Sequence, residues 1–153
     1  MNTQPAAPLA PGDVLDVVSF EVEAGKIREF ARATQTADPV HTDPQAAAEA
    51  GFTAVAATPT HVVVAGHHRN QQEFVRALGM DIKRIVVGSV SWDYARPLVA
   101  GDQLTGTRRV VSDERKDGKR GGTMRLVTLE TVWADPAGQA AVTQREVLIE
   151  RGA

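Results

Sequence analysis

Residues 30–60, FARATQTADPVHTDPQAAAEAGFTAVAATPT, decide how the rest of the chain is interpreted. The stretch predicts a helix end, a polar elbow, a short helix, a small-residue segment and the start of a second helix. Pro39 fixes its own φ and disfavours helical backbone at Asp38, so the first helix is expected to end before the elbow. Asp43 before Pro44 is typical of an N-cap with proline at the first helical position.

The elbow, residues 36–41, contains the candidate for acid–base chemistry. His41 lies on a loop close to two carboxylates, Asp38 and Asp43. A loop histidine among acids can be held in one tautomer and titrate near neutrality, which suits a proton-transferring group. Turn-forming aspartates around an ordinary loop histidine explain the same pattern. The residues alone therefore make His41 a candidate without deciding its role.

The remaining helices are predicted on both sides of the elbow. Residues 26–34 place apolar side chains at i, i+3 and i+4 on one face, which predicts an amphipathic helix. Thr58 as N-cap and Pro59 as first helical residue predict a central helix beginning near Thr60. Because residues 62–64 are valines, which are poor helix formers, this helix requires burial. Residues 70–78 predict one more helix or an ordered excursion of the chain.

Strand patterns dominate the second half of the chain. Residues 14–23 predict one early strand, and residues 85–94, 103–114, 122–134 and 139–151 predict four later ones. Residues 116–119 and 135–138 are hairpin signals. Trp92 and Tyr94 share one strand face, where packing in the core or at a subunit interface is expected. Helices followed by long antiparallel strands are typical of an α+β domain.

Composition narrows the function classes. The 153 residues carry a formal net charge of −2 and no cysteine, which disfavours nucleic-acid binding and excludes disulfides and thiolate chemistry. The four histidines offer no pair at i, i+4, so no metal site is expected. Residues 1–11 are interpreted as a flexible leader rather than a secretion signal, and residues 12–153 as one domain. No apolar run approaches the ~20 residues that span a membrane, so a cytoplasmic protein is expected.

Three segments, in order, resemble the MaoC-like hydratase/dehydratase family of hotdog proteins. The branch with an N-terminal, FAS1-like dehydratase domain shows a Phe/Tyr-Ala helix end followed by Gly-Asp-x-Asn-Pro-x-His-x-Asp. Here residues 30–31 are Phe-Ala and residues 35–43 are QTADPVHTD. Residues 57–60, ATPT, resemble its Ala-Pro-Pro-Thr segment, and residues 97–102, PLVAGD, resemble its Pro-Leu-x-x-Gly-Asp turn. The resemblance implies a single hotdog fold, in which an antiparallel sheet wraps a long central helix.

The resemblance also implies a site. In catalytic relatives the His and an Asp five residues earlier act on an acyl thioester, and a backbone N–H at the start of the central helix stabilises the thioester oxygen. The matching positions are His41, Thr36 and the Thr60 N–H, while Asp38 stands at the family's Asn. Thr36 departs from the pattern, because a hydroxyl cannot accept a proton as a carboxylate does.

Three functions are compatible with this departure. The first is a subunit of an (R)-specific enoyl-thioester hydratase/3-hydroxyacyl dehydratase whose own site is degenerate and which pairs with a catalytic hotdog chain. The second is a self-sufficient enzyme that uses His41 with Asp38 as substitute acid. The third is a non-catalytic hotdog that binds acyl thioesters. The first is favoured. A homodimer or heterodimer is expected, with no cofactor beyond the coenzyme A or acyl-carrier protein that carries the substrate.

Overall fold

The computed structural model describes residues 9–118 and 122–152. The strands are β1 (Val14–Glu21), β2 (Ile85–Tyr94), β3 (Gln103–Asp117), β4 (Thr123–Ala134) and β5 (Ala140–Glu150). The α-helices are α1 (Ala24–Ala33), α2 (Pro44–Glu49) and α3 (Gln71–Ala77), and 3-10 helices span Pro39–His41, His61–His68 and Ile82–Arg84. The predicted sequence of elements is confirmed, and the bounds of β2 agree residue for residue.

All five strands form one antiparallel sheet in the order β1-β3-β4-β5-β2. The turn between β4 and β5 follows its signal, since the Asp135 side chain accepts hydrogen bonds from the N–H groups of Ala137 and Gln139. Of the other predicted turn, Lys119 lies outside the described residues, while the Gly118 N–H donates to Gly122 O at 2.8 Å. The α+β class is confirmed, and β1 and β2 are the edges of the sheet.

The central helical segment differs from the expected long α-helix. It is an eight-residue 3-10 helix that begins at His61, so Thr58 is not its N-cap. A run of three valines disfavours α-helix, and the segment stops two residues after Gly66. Val62 is buried as expected, but Val63 is 44% exposed and Trp92 is only half-buried. A tight 3-10 segment leaves part of the concave sheet face less covered than a long α-helix would.

The core consists of two apolar clusters on that concave face. The first joins α1, the central 3-10 helix and the ends of the strands, and contains Phe20, Ile27, Val62, Leu98, Trp133 and Val142. The second lies under α3 and contains Val75, Leu78, Val110, Val127, Leu129 and Leu148. Alternate residues of β4 are buried along most of the strand, as period two requires.

The predicted leader lies mostly outside the described part of the chain, which begins at Leu9. The Leu9 N–H donates to Ala77 O at 3.0 Å, and its side chain packs against the second cluster. The flexible leader over residues 1–11 and the domain boundary at residue 12 stay predictions. No helix within the described residues is long and apolar enough to cross a membrane.

Candidate functional site

The elbow is built by two caps. The Asp38 carboxylate accepts a hydrogen bond from the Val40 N–H at 3.1 Å and begins the short 3-10 turn that carries His41. The Asp43 carboxylate accepts from the Gln45 N–H at 2.8 Å and begins α2, which confirms the predicted cap. Both aspartates are exposed. Their carboxylates therefore hold the backbone of the elbow in place.

His41 is buried to 9% exposure, and its ring is held by one hydrogen bond. Nδ1 lies 2.6 Å from the carbonyl oxygen of Ala56. Because a carbonyl only accepts, Nδ1 carries the proton and Nε2 is left as an acceptor in the neutral ring. The Ala56 N–H in turn donates to Val40 O at 2.9 Å. The elbow and the small-residue segment are thus tied together, and the tautomer is the one that suits a general base.

Thr36 is the elbow residue that the resemblance matches to the family's aspartate. Its hydroxyl lies 3.1 Å from the hydroxyl of Thr34, and its backbone N–H donates to Ala31 O at 2.8 Å. The side chain is half-buried. A hydroxyl paired with another hydroxyl offers hydrogen bonds but no charge and no acid–base group near neutral pH.

Thr60 lies at the start of the central 3-10 helix, four residues beyond the Ala56 contact of His41. Its N–H has no backbone acceptor within the described residues, as is normal for the first amides of a helix. The carbonyl of the preceding Pro59 accepts a hydrogen bond from the Tyr94 hydroxyl. Burial raises the pKa of Tyr94, so the hydroxyl stays a donor at neutral pH. Proximity of the His41 ring to the Thr60 amide stays a prediction.

His61 is a buried residue that the sequence did not single out. It is 0% exposed, its ring lies edge-on to Phe30 at 5.5 Å, and neither ring nitrogen has a partner in the described chain. Burial lowers the pKa of His61 to about 4, so its ring is neutral near pH 7. Its position before three valines at the start of a buried helix was the only available signal. His61 therefore behaves as a core side chain.

A second polar feature fixes the loop before β3. The Arg96 guanidinium donates to both oxygens of Asp102, at 2.7 and 3.0 Å, and the Val99 N–H donates to the same carboxylate at 2.9 Å. The predicted turn at Gly101 is confirmed, with φ +94°. The Ala57 N–H donates to Leu98 O at 2.9 Å, so this loop braces the segment that leads to Thr60. Among the residues the structure describes, no cluster of three or more His, Asp or Glu is arranged to hold a metal.

Comparisons with known proteins agree with this architecture. The family described as FAS1-like, dehydratase domain region, matches residues 10–144. A UPF0336 protein of Clavibacter michiganensis is 38% identical over 150 residues, which is 97% of each chain. The fold is shared with a MaoC-like dehydratase (TM-score 0.80, 26% identity, 96% of this chain and 43% of that one). It is also shared with the HadBC complex, a 3R-hydroxyacyl-ACP dehydratase of Mycobacterium tuberculosis (TM-score 0.72, 24% identity, 88% of this chain and 94% of that one).

These findings confirm the expected hotdog fold, and the solved structures that share it include hydratases and dehydratases, some of them complexes of hotdog chains. The family match covers the elbow, the central helix and most of the sheet. The chain belongs to the FAS1-like dehydratase-domain family.

Proposed function

We propose that this chain is a subunit of an (R)-specific enoyl-thioester hydratase/3-hydroxyacyl-thioester dehydratase, paired with a hotdog chain that supplies a complete site. The observation that carries the proposal is that Thr36, which the resemblance matches to the family's aspartate, has a hydroxyl paired with that of Thr34 at 3.1 Å. The substrate is carried as a coenzyme A or acyl-carrier-protein thioester. A cytoplasmic location is part of the proposal.

The residues present supply a general base and a donor to the thioester oxygen, but no carboxylate for the water or 3-hydroxyl group. Nε2 of His41 is the free base that takes or returns the proton at the α-carbon, since Nδ1 is held by Ala56 O. The Thr60 N–H, at the positive end of a helix, stabilises the negative charge that develops on the thioester oxygen. The water or 3-hydroxyl group lacks its acid–base partner, because Thr36 has no carboxylate.

Asp38 does not fit the missing role well. Its carboxylate is exposed and accepts from the Val40 N–H at 3.1 Å, so moving it to the substrate would remove the cap of the elbow. This observation favours the paired subunit over the self-sufficient enzyme.

The edge strand β2 supports pairing with a second hotdog chain. Val87, 61% exposed, and Val86, 41% exposed, project from an edge strand of ten residues, and Val63 of the central helix is also exposed. An apolar edge with unpaired backbone groups is a liability that a partner strand removes. HadBC of Mycobacterium tuberculosis, which shares the fold, is itself a complex. Either a homodimer or a heterodimer would supply a partner strand for β2. The missing carboxylate of this chain favours the heterodimer.

The test is hydration of a trans-2-enoyl thioester by the purified chain. We expect little turnover from the wild type, and a gain for Thr36→Asp, because one positioned acid–base group contributes about 10²–10⁴-fold. His41→Ala in the Thr36→Asp background is expected to abolish the gain. Thr42→Asp, which adds the same carboxylate at an exposed threonine next to His41, is the matched control and is expected to add nothing.

Other outcomes identify the alternatives. Brisk turnover by the wild type alone, stopped by Asp38→Asn, would show a self-sufficient enzyme. Thioester binding with no activity in Thr36→Asp and no activation of an added hotdog partner would show a non-catalytic binding protein.

A further inference from the structure

A row of polar side chains crosses the whole concave face of the sheet between the two apolar clusters. Paired residues on neighbouring antiparallel strands project to the same side. The strand registers connect, from β1 to β2, Asp16, Arg108, Thr131, Gln144 and Trp92. Two residues further along each strand, on the same face, the neighbouring row is mainly apolar. It contains Val18, Gly106, Trp133, Val142 and Tyr94. Burying polar groups in a core costs free energy unless they form hydrogen bonds, so each polar group of this row is expected to have a partner.

The charges of this row are balanced internally. Arg108 donates to Asp16 and, at 3.0 Å, to Glu146, while Arg69, just after the central helix, donates to Asp16 at 3.2 Å. The Arg108 guanidinium also lies over the ring of Phe74, 4.3 Å from its centroid. Two guanidinium groups therefore face two carboxylates, and the group carries no net charge.

Two hydrogen-bonding groups of the row are left without partners. The Trp92 Nε1 and the Arg108 Nε are buried and have no acceptor within the described residues. Gln144, which the strand registers place between Thr131 and Trp92 in the row, is 7% exposed. An unsatisfied buried polar group costs about 1–3 kcal/mol, so two at one place are unusual. All three residues line one cavity of about 290 Å³, together with Val63, Val90 and Leu148.

In the proposed function, the acyl chain would extend from the Thr60 amide, and β2 leads from there to this cavity. Trp92 is two residues before Tyr94 on the same face of β2, a separation of about 7 Å. The Tyr94 hydroxyl donates to Pro59 O, next to the Thr60 amide that would receive the thioester oxygen. A chain that starts at this amide and runs along β2 from Tyr94 towards Trp92 would reach the polar row.

We propose that this cavity is a specificity subsite for an acyl chain that bears a neutral oxygen, a keto or hydroxyl group, in its distal half. The two unpartnered groups, the indole and guanidinium N–H, only donate, and the amide of the neighbouring Gln144 donates as well as accepts. An oxygen acceptor satisfies them. A carboxylate fits less well, because Asp16 and Glu146 already neutralise both guanidinium groups. The inference rests on the proposed function, since the ligand is taken to be an acyl thioester.

The experiment compares two pantetheine thioesters of equal chain length, octanoyl and 7-oxo-octanoyl, by calorimetric titration of the full chain. We expect the oxo thioester to bind about tenfold more tightly, as one recovered buried hydrogen bond allows. Gln144→Leu, of similar side-chain size, is expected to lower this preference several-fold while octanoyl binding is kept. Gln139→Leu, in the exposed β4–β5 turn, is the matched control and should keep the full preference.

Several results would overturn the inference. Equal binding of the two thioesters by the wild type, or an undiminished preference in Gln144→Leu, refutes the subsite while leaving the proposed function intact. Failure of both thioesters to bind the folded wild type refutes the subsite too, and the proposed function fails with it only if the chain also does not activate an added hotdog partner. If Gln144→Leu does not fold, Trp92→Phe removes the indole donor and keeps a ring, and an unchanged preference in that variant refutes the subsite equally.

Discussion

The buried ring of His61 predicts a specific loss of stability in acid. The folded chain binds a proton on this ring only near pH 4, because burial lowers the pKa from its ordinary value of 6.5. The unfolded chain binds the proton near pH 6.5, so acid favours unfolding. The stability that the neutral ring contributes is fully present above pH 6.5 and is lost progressively as the pH falls towards 4.

The magnitude follows from the size of the pKa shift. A difference of about 2.5 pKa units at about 1.36 kcal/mol per unit corresponds to about 3 kcal/mol of unfolding free energy. Against the 5–15 kcal/mol that is typical of a domain, a loss of this size is large. His61 is fully buried and lies between the rings of Phe20 and Phe30, so solvent does not screen the effect.

Urea unfolding measured at pH 7.5 and pH 4.5 tests the effect. Other groups also titrate over this range, so the informative quantity is the difference between the wild type and His61→Leu, which places an apolar side chain in the core and removes the titration. We expect His61→Leu to lose about 2–3 kcal/mol less than the wild type between the two pH values. His67→Gln, which removes an exposed histidine from the same helix, is the control and should keep the wild-type dependence. Equal pH dependence in the wild type and His61→Leu would refute the reasoning.

Two further predictions concern packing and capping, and both are read from urea unfolding at pH 7.5. Gly106→Ala should destabilise by about 1–3 kcal/mol, because its Cβ would lie 2.4–2.7 Å from the ring of the fully buried Trp133. Gly25→Ala in α1, where a Cβ meets nothing within 4 Å, is the control and should be neutral or stabilising; equal effects of the two would contradict the packing argument. Asp43→Ala should cost about 1 kcal/mol through loss of the α2 cap, and an unchanged midpoint would show that the bond to Gln45 contributes little.

Much of the candidate site was predictable because its signals are local. Asp43 followed by Pro44 predicts a helix start, because the pair is typical of an N-cap with proline at the first helical position. In the structure the Asp43 carboxylate accepts from the Gln45 N–H at 2.8 Å. Thr36 is recognisable as a departure by counting back from His41. The hydrogen bond from His41 to Ala56 was not predictable, because it joins residues fifteen apart whose approach depends on how the elbow folds against the next segment.

The sequence by itself determined the order of helices and strands, the turns and the α+β class. These features follow from hydrophobic periodicity and from proline and glycine, whose effects on the backbone depend only on residues close by in the chain. Tertiary structure decided that the central segment is a short 3-10 helix, since three valines and a glycine only disfavour the α-helix locally and packing selects the backbone that they adopt instead. It also decided the polar row across the sheet. Asp16, Arg108 and Gln144 are far apart in the chain, and only the strand registers bring them to one face. Register is set by the burial of whole strands, which no single segment records.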